Sequence, residues 1–189
     1  MNLENIEILK NGGVGVIPTD TIYGIACSAF SREAILRLYD LKKRDSNKPP
    51  VVLISGISDL NLFGIELNDF EKDFIAKYWP GKISFIFKIK SELDYLDKGL
   101  GLAIRLPADE VVRKFIRQTG PLATSSANLQ SHLPAKNIAE AQKYFGLPGQ
   151  GCGVDFYEDG GNLDSLPSTL VRITGDKIEV LREGAVKIQ

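Results

Sequence analysis

The chain has 189 residues, 43% hydrophobic and 25% charged, which is an ordinary composition for a soluble globular protein with a sizeable core. Its 23 lysines and arginines against 24 acidic residues give a net charge of -1, which excludes a broadly basic nucleic-acid coat but permits a local basic patch. Cys27 and Cys152 lack Cys-x-x-Cys spacing, which argues against a disulfide framework and favours a reducing compartment.

The N-terminus and the distribution of apolar residues predict a cytoplasmic location. Glu4, Glu7 and Lys10 interrupt the first apolar stretch, which therefore lacks the apolar core of a signal peptide. No apolar run approaches the roughly 20 residues needed to span a bilayer. We therefore expect a cytoplasmic protein with no membrane partner.

The first half of the chain alternates helical segments with short β-branched runs. Leu3, Ile6 and Leu9 recur at helical spacing, and Gly12-Gly13 would end that helix. Short β-branched runs such as the one before Pro18 predict buried strands. In chain order we expect a helix over residues 2–10, a strand over 14–17, a helix from the N-cap Ser31 to Lys43, a strand over 51–54 and a helix over 68–78.

The second half continues the alternation and predicts one α/β domain over residues 1–189, built on a mixed twisted sheet. We expect strands over residues 83–90 and 102–105, a helix over 109–119, a strand over 122–124, a helix over 137–145 and a terminal hairpin of strands 169–173 and 177–181. Residues 146–167 are rich in Gly, Asp and Pro, which predicts a long loop.

Three short stretches carry the chemistry: Pro18-Thr-Asp-Thr-Ile-Tyr-Gly24, Lys42-Lys-Arg44 with Lys48, and Thr124-Ser-Ser-Ala-Asn128. The first and third place hydroxyls, an amide and bare backbone at expected strand ends. The second places four cations within seven residues. Hydroxyls and cations that converge from distant parts of a chain predict a site for a phosphorylated, hydroxyl-bearing ligand.

Each stretch also has a purely structural explanation. The cations of residues 42–48 could complement the dipole of the preceding helix. Residues 19–21 could form a hydroxyl-rich turn, and residues 125–128 could cap a helix. Arg105 ends a strand, where we expect it to bind an anion or a buried acid.

Two glycine segments resemble common phosphate loops without completing either pattern. Residues 12–15 precede a strand instead of following it, and Ala76 stands where a P-loop with Gly81 as its second glycine would need its first glycine. His132 is the single histidine, so we expect neither a histidine-based hydrolase nor a histidine-ligated metal. A magnesium ion that arrives with nucleotide phosphates needs no protein cage.

The order of the motifs resembles the YrdC-like family, the L-threonylcarbamoyl-AMP synthases. The family's Pro-Thr-Asp/Glu-Thr-x-Tyr-Gly and Lys-x-Arg resemble residues 18–24 and 42–44, and its Pro-Gly before a strand resembles residues 80–81. Two further family motifs lie in the middle of the chain: Val-Arg-x-Pro resembles residues 104–107, and Ser-Ala-Asn resembles residues 126–128. Two more lie near its end: Ser-Thr resembles residues 168–169, and Leu-Arg-x-Gly resembles residues 181–184. The resemblance covers essentially the whole chain and indicates the short, single-domain form.

The resemblance implies a twisted α/β sheet with flanking helices around a concave basic cavity. It also implies that the protein makes threonylcarbamoyl-AMP and pyrophosphate from L-threonine, bicarbonate and ATP. Mg2+ would accompany the ATP without a dedicated protein site. The product would pass to a separate transferase complex that modifies adenosine beside the anticodon of tRNA, and binding of tRNA to this chain would be weak or absent.

The site residues that the resemblance implies fall into three groups. Lys42 and Arg44 are expected to be catalytic. L-threonine is expected to bind Thr21, Arg105, Thr124 and Ser168. The residues expected to bind ATP are Arg44, Lys48, Gly101, Ser126, Asn128, Pro134 and Arg182.

Three alternative functions stay open. Lys82, Ser84, Gln130-Ser131 and Lys48 differ from common family residues, which admits a paralogous enzyme that forms a carbamoyl adenylate with another acceptor. A non-catalytic RNA-binding module of the same fold would also use the cations of residues 42–48, but few aromatic residues lie near them. A carbamoyl-transfer domain like those of hydrogenase-maturation proteins is a third alternative, although such domains belong to far longer chains.

Overall fold

The strands form at the short apolar runs of the sequence. The computed structural model describes residues 2–43, 48–89, 91–97, 99, 101–148 and 153–188. Its strands are β1 (Val14–Ile17), β2 (Gly24–Ser28), β3 (Val51–Leu53), β4 (Ile83–Phe87), β5 (Leu102–Arg105), β6 (Leu122–Ser126), β7 (Phe156–Tyr157), β8 (Thr169–Thr174) and β9 (Lys177–Arg182).

These strands form one sheet in the order β7-β1-β2-β6-β3-β5-β4-β8-β9. Strand β1 pairs parallel with β7, β3 with β5 and β4 with β8, and the other neighbours pair antiparallel. The predicted mixed α/β sheet is therefore confirmed.

Five of the six described helices begin where the sequence supplies a capping side chain. The six helices are α1 (Leu3–Lys10), α2 (Arg32–Lys42), α3 (Asp69–Ala76), α4 (Asp94–Asp97), α5 (Glu110–Thr119) and α6 (Ile138–Phe145). Asn2, Ser31, Asn68, Asp109 and Asn137 each accept a hydrogen bond from a backbone N–H of the first turn, which satisfies a group that the helix leaves free. None of these described helices is long and apolar enough to cross a membrane.

Two elements depend on partners that lie far away in the sequence. Strand β2 was not predicted, because its Gly-Ile-Ala-Cys-Ser sequence contains a single β-branched residue. It is nearly fully buried between β1 and β6. Strand β7 lies inside the segment predicted as a loop and forms by pairing its two residues with β1. A 3₁₀ helix over Ile57–Phe63 also went unpredicted, and β4 ends at Phe87, before the predicted limit.

Helices cover the two faces of the sheet unequally. On one face the larger core includes Leu38, Phe74 and Ala141 from α2, α3 and α6. On the other face, α1 and α5 form a smaller core against β1, β2, β3 and β6. Alternate side chains of β3 to β6 and β8 point to this second face beyond the smaller core, and these residues line a cavity.

Candidate active site

A cavity of about 530 Å³ lies on this second sheet face. Its polar lining consists of Thr19, Thr21, Lys48, Arg105, Thr124, Ser125, Ser126, Ser168, Arg172 and Arg182. Among the described lining residues four are cationic and none is acidic. The basic character of the cavity as a whole stays a prediction, because Arg44 lies outside the described residues.

The cavity floor contains a row of residues that pair across five strands. Thr124 pairs with Val51, Val51 with Ala103, Ala103 with Ile86, and Ile86 with Arg172. Neighbouring strands are about 4.8 Å apart, so the four steps span roughly 19 Å. The row has a hydroxyl at one end, a guanidinium at the other and three apolar residues between them. A long ligand with polar ends would match this floor.

The turn after β1 fixes the direction of the hydroxyl protons. Thr19 Oγ1 donates its proton to the carbonyl oxygen of Ile22 at 2.8 Å. The 3.0 Å hydrogen bond between Thr19 Oγ1 and Thr21 Oγ1 therefore takes its proton from Thr21. Thr21 Oγ1 also accepts from Arg105 Nη1 at 2.9 Å. Its proton is therefore used within the protein, and it can offer a ligand only a lone pair.

The hydroxyl of Thr124, at the start of the floor row, also donates its proton within the protein. Its Oγ1 donates to the carbonyl oxygen of Val51 at 2.8 Å, which leaves lone pairs for a ligand. Both threonines are buried, Thr21 at 2% and Thr124 at 6% exposure. The hydroxyls of Thr21 and Thr124 are thus suited to a ligand that donates, such as an amine or a hydroxyl.

Arg105 is a buried cation at the end of β5. Its pKa is lowered by burial, raised by the nearby Asp20 carboxylate and lowered again by Arg182, with a net direction downward. Asp20 Oδ1 lies 3.4 Å from Arg105 Nη2, and the side chains of both residues are almost fully buried. A guanidinium held in this way suits a carboxylate or a phosphate.

A second hydroxyl pair lies where β4 and β8 begin. Ser84 Oγ and Ser168 Oγ are 2.9 Å apart, and both residues are buried. Arg182 Nη2 donates to the carbonyl oxygen of Ser168 at 2.8 Å, and burial lowers the pKa of Arg182. Ser84 and Arg182 thus hold Ser168 in place from two sides.

Gly101 brings the backbone close to the floor at the start of β5. Its φ of +86° lies in the region that favours glycine, and a Cβ there would lie 2.6 Å from Ile86 Cγ2. Another residue at this position would push against the floor row.

Lys42 and Asn128 bind each other beside the cavity and are absent from its described lining. Lys42 is 2% exposed, and its Nζ donates to the backbone carbonyl oxygens of Ser126 and Asn128 and to Asn128 Oδ1. An ammonium has three donors, and these three acceptors match that number. Asn128 Nδ2 donates in turn to the carbonyl oxygens of Leu129 and His132. Their direct roles toward a ligand stay predictions, and the geometry favours support of the 126–128 segment.

Nine of the twelve predicted site residues line the cavity: Thr21, Lys48, Gly101, Arg105, Thr124, Ser126, Pro134, Ser168 and Arg182. Their roles stay predictions. Lys42 and Asn128 lie beside the cavity, and Arg44 lies outside the described residues.

Sequence reasoning did not assign Ser84 or Arg172 to the site. Strand periodicity is the signal that could have found them, because Ser84 and Arg172 lie two residues from the lining residues Ile86 and Leu170 and therefore share their side of the sheet. In the described part of the chain, no three His, Cys, Asp or Glu side chains cluster as a metal would need.

The sequence matches, over residues 7–184, the protein family described as telomere recombination, Sua5/YciO/YrdC. The chain belongs to this family. A protein of Methanocaldococcus jannaschii, provisionally named threonylcarbamoyl-AMP synthase, is 32% identical over an alignment of 189 residues. The alignment covers 97% of this chain and 87% of that protein. The threonylcarbamoyl-AMP synthase of Klebsiella pneumoniae is 30% identical over 75% of this chain and 77% of its own length.

A solved structure agrees with the fold. The crystal structure of P. abyssi Sua5 complexed with L-threonine matches 96% of this chain with a TM-score of 0.86 and 23% identity. The match covers 53% of the Sua5 chain, so this protein spans about half of its length. The predicted resemblance to the YrdC-like family and the predicted fold class are both confirmed.

Proposed function

We propose that this protein is an L-threonylcarbamoyl-AMP synthase, a nucleotidyltransferase that converts L-threonine, bicarbonate and ATP into threonylcarbamoyl-AMP and pyrophosphate. The observation that carries the proposal is the convergence of Thr21, Arg105, Thr124, Ser168 and Arg182 in one cavity. The names of the relatives and the threonine bound to P. abyssi Sua5 support the same substrates.

The threonine end of the cavity would lie at the buried hydroxyls. Arg105 would bind the substrate carboxylate, because a guanidinium matches a carboxylate in charge and shape. Thr21 and Thr124 have used their own protons, so their lone pairs would accept from the substrate amine and its β-hydroxyl. An amino acid without the β-hydroxyl would leave a buried acceptor unpaired.

The nucleotide would occupy the rest of the cavity. Lys48 and Arg182 would bind phosphate oxygens, with Ser126, Gly101 and Pro134 along the walls. Arg44 belongs to this proposal through its place in the Lys-x-Arg motif. Mg2+ would enter on the triphosphate and keep most of its waters, and its charge would help pyrophosphate to leave.

The chemistry would depend on positioning and on neutralisation of charge. The threonine nitrogen attacks the bicarbonate carbon and water leaves, which gives a carbamate. A carbamate oxygen then attacks the α-phosphorus of ATP, and the bond to pyrophosphate breaks. Carbamate and triphosphate are both anions, so Arg44, Arg105 and Arg182 would lower the barrier by neutralising them as they approach. Lys42 would contribute by holding the segment that carries Ser126.

The wider role of the protein follows from the same proposal. The chain would act in the cytoplasm as a single domain and deliver its product to a tRNA threonylcarbamoyl transferase complex. Because the chain is nearly neutral overall, its own binding of tRNA should be weak.

Pyrophosphate release tests the proposal directly. Purified protein should release pyrophosphate from ATP only when L-threonine, bicarbonate and Mg2+ are all present, and omission of any one should abolish release. Mass spectrometry should detect threonylcarbamoyl-AMP in the complete reaction. Release that ignores threonine or bicarbonate would refute the assignment, and release with another amino acid alone would favour a paralogous enzyme.

A further inference from the structure

The carboxylate of Asp20 is buried behind the cavity wall. Its side chain is 5% exposed and that of Arg105 6%, and Asp20 is absent from the described lining residues, whereas Arg105 is one of them. Asp20 Oδ2 accepts from the backbone N–H of Ala108 at 2.9 Å. This bond joins the turn after β1 to the loop after β5, the two segments that carry Thr21 and Arg105.

Two buried polar atoms here have no hydrogen-bond partner. In the described part of the chain, the buried side-chain nitrogen and oxygen atoms without a hydrogen-bond partner are Asp20 Oδ1 and Arg105 Nε. Asp20 Oδ1 has an ionic contact of 3.4 Å to Arg105 Nη2, but no hydrogen bond. Buried polar atoms are nearly always satisfied in folded proteins, so this pair beside the cavity requires an explanation.

We propose that Asp20 is a positioning residue that holds the Arg105 guanidinium in place and aimed at the carboxylate of the amino-acid substrate. Two adjacent residues of one turn hold this guanidinium: Thr21 Oγ1 accepts from Nη1, and the Asp20 carboxylate faces Nη2. This inference rests on the proposed function, because it assigns Arg105 to threonine.

The electrostatic environment explains why Arg105 needs this partner. A buried guanidinium without a counter-ion is costly, and Arg182 adds a like charge nearby. Asp20 opposes both effects, and its bond to Ala108 N–H fixes it in place. A guanidinium that is already fixed loses little freedom when a ligand binds, so Asp20 should act mainly on the affinity for threonine.

The test compares Asp20→Asn with Asp20→Glu and with a matched control, Asp155→Asn. Asp155 has the same kind of partners, since it pairs with Arg37 and accepts from the backbone N–H of Val14, but it lies away from the cavity lining. We expect Asp20→Asn to raise the KM for threonine about tenfold or more. The KM for ATP should stay within about twofold of the wild type. Asp20→Glu should recover part of the loss, and Asp155→Asn should change neither KM.

A spectroscopic measurement separates this inference from the proposed function. The ¹⁵N NMR signal of the Arg105 Nε–H group, assigned with Arg105→Lys, should shift between wild type and Asp20→Asn without any ligand. It should also shift in the wild type when L-threonine is added. A wild-type protein that releases no pyrophosphate and shows no shift with threonine would refute the proposed function.

Three results would overturn the role of Asp20 itself. They are an Arg105 signal that is identical in wild type and Asp20→Asn, an unchanged KM for threonine in Asp20→Asn, and an equal rise of the KM values for threonine and ATP. Thermal unfolding of each variant identifies a loss of fold. If Asp20→Asn does not fold, Asp20→Ser, which also removes the carboxylate, decides by the same criteria.

Discussion

Replacement of the buried Lys42 by methionine tests what this lysine does. Methionine keeps much of the apolar stem but removes the ammonium that donates to the carbonyl oxygens of Ser126 and Asn128 and to Asn128 Oδ1. The carbonyl oxygen of Ser126 still accepts from Asn128 N–H, so the two acceptors of Asn128 lose their lysine partner, at about 1–3 kcal/mol each when buried. The variant regains part of this because it no longer buries a charge, so we expect a loss of about 3–5 kcal/mol in the free energy of unfolding.

Urea denaturation measures this loss. Trp79, the single tryptophan, is 5% exposed and packs against Phe85, so its fluorescence reports unfolding. Lys48→Met is the matched control, because Lys48 is exposed at the cavity. We expect it to change the free energy of unfolding by no more than about 0.5 kcal/mol while it lowers the rate of pyrophosphate release.

One outcome would contradict the reasoning about Lys42. If Lys42→Met unfolds at the wild-type urea concentration but releases no pyrophosphate, the ammonium acts on the ligand and does not support the 126–128 segment. The catalytic role predicted from the Lys-x-Arg motif would then be correct in its direct form.

Further predictions concern the substrate, pH, the thiol and RNA. Serine should replace threonine poorly but detectably, since one methyl is worth about 1–3 kcal/mol, and valine should be far worse; equal rates of pyrophosphate release with valine and threonine would contradict the pocket assignment. Burial raises the pKa of Asp155, but the hydrogen bonds from Arg37 and from Val14 N–H outweigh burial, and the net pKa is lowered. The stability that Asp155 contributes is therefore present above its unfolded pKa and is lost as the pH falls through the lower folded pKa. Urea midpoints at acid pH should therefore fall less steeply for Asp155→Asn than for the wild type. Burial raises the pKa of Cys27 to about 12, so peptide mapping should find it unmodified by iodoacetamide at pH 8 in the folded protein. Binding of tRNA should weaken with salt with a log–log slope no steeper than about -4, and ATP should displace it; sub-micromolar binding unaffected by ATP would favour the RNA-binding alternative.

Local patterns in the sequence were sufficient for most of the secondary structure. Capping residues such as Asn68 and Asp109 act on backbone groups within three residues, so the helix starts could be predicted without the fold. The order of the motifs, through the resemblance to the YrdC-like family, also predicted nine of the residues that line the cavity. Strands β2 and β7 could not be predicted in this way, because pairing with distant β1 and β6 stabilises them.

The direction and partners of individual side chains depended on the tertiary structure alone. Lys42 and Lys48 belong to the same cationic stretch, yet one ammonium is buried against carbonyl oxygens and the other residue lines the cavity. Asp20 and Arg105 are 85 residues apart in the sequence, and they meet where the turn after β1 is hydrogen-bonded to the loop after β5. A charged side chain pairs with whichever opposite charge or backbone oxygen the fold leaves near it in a site shielded from water, and no sequence spacing encodes that neighbour.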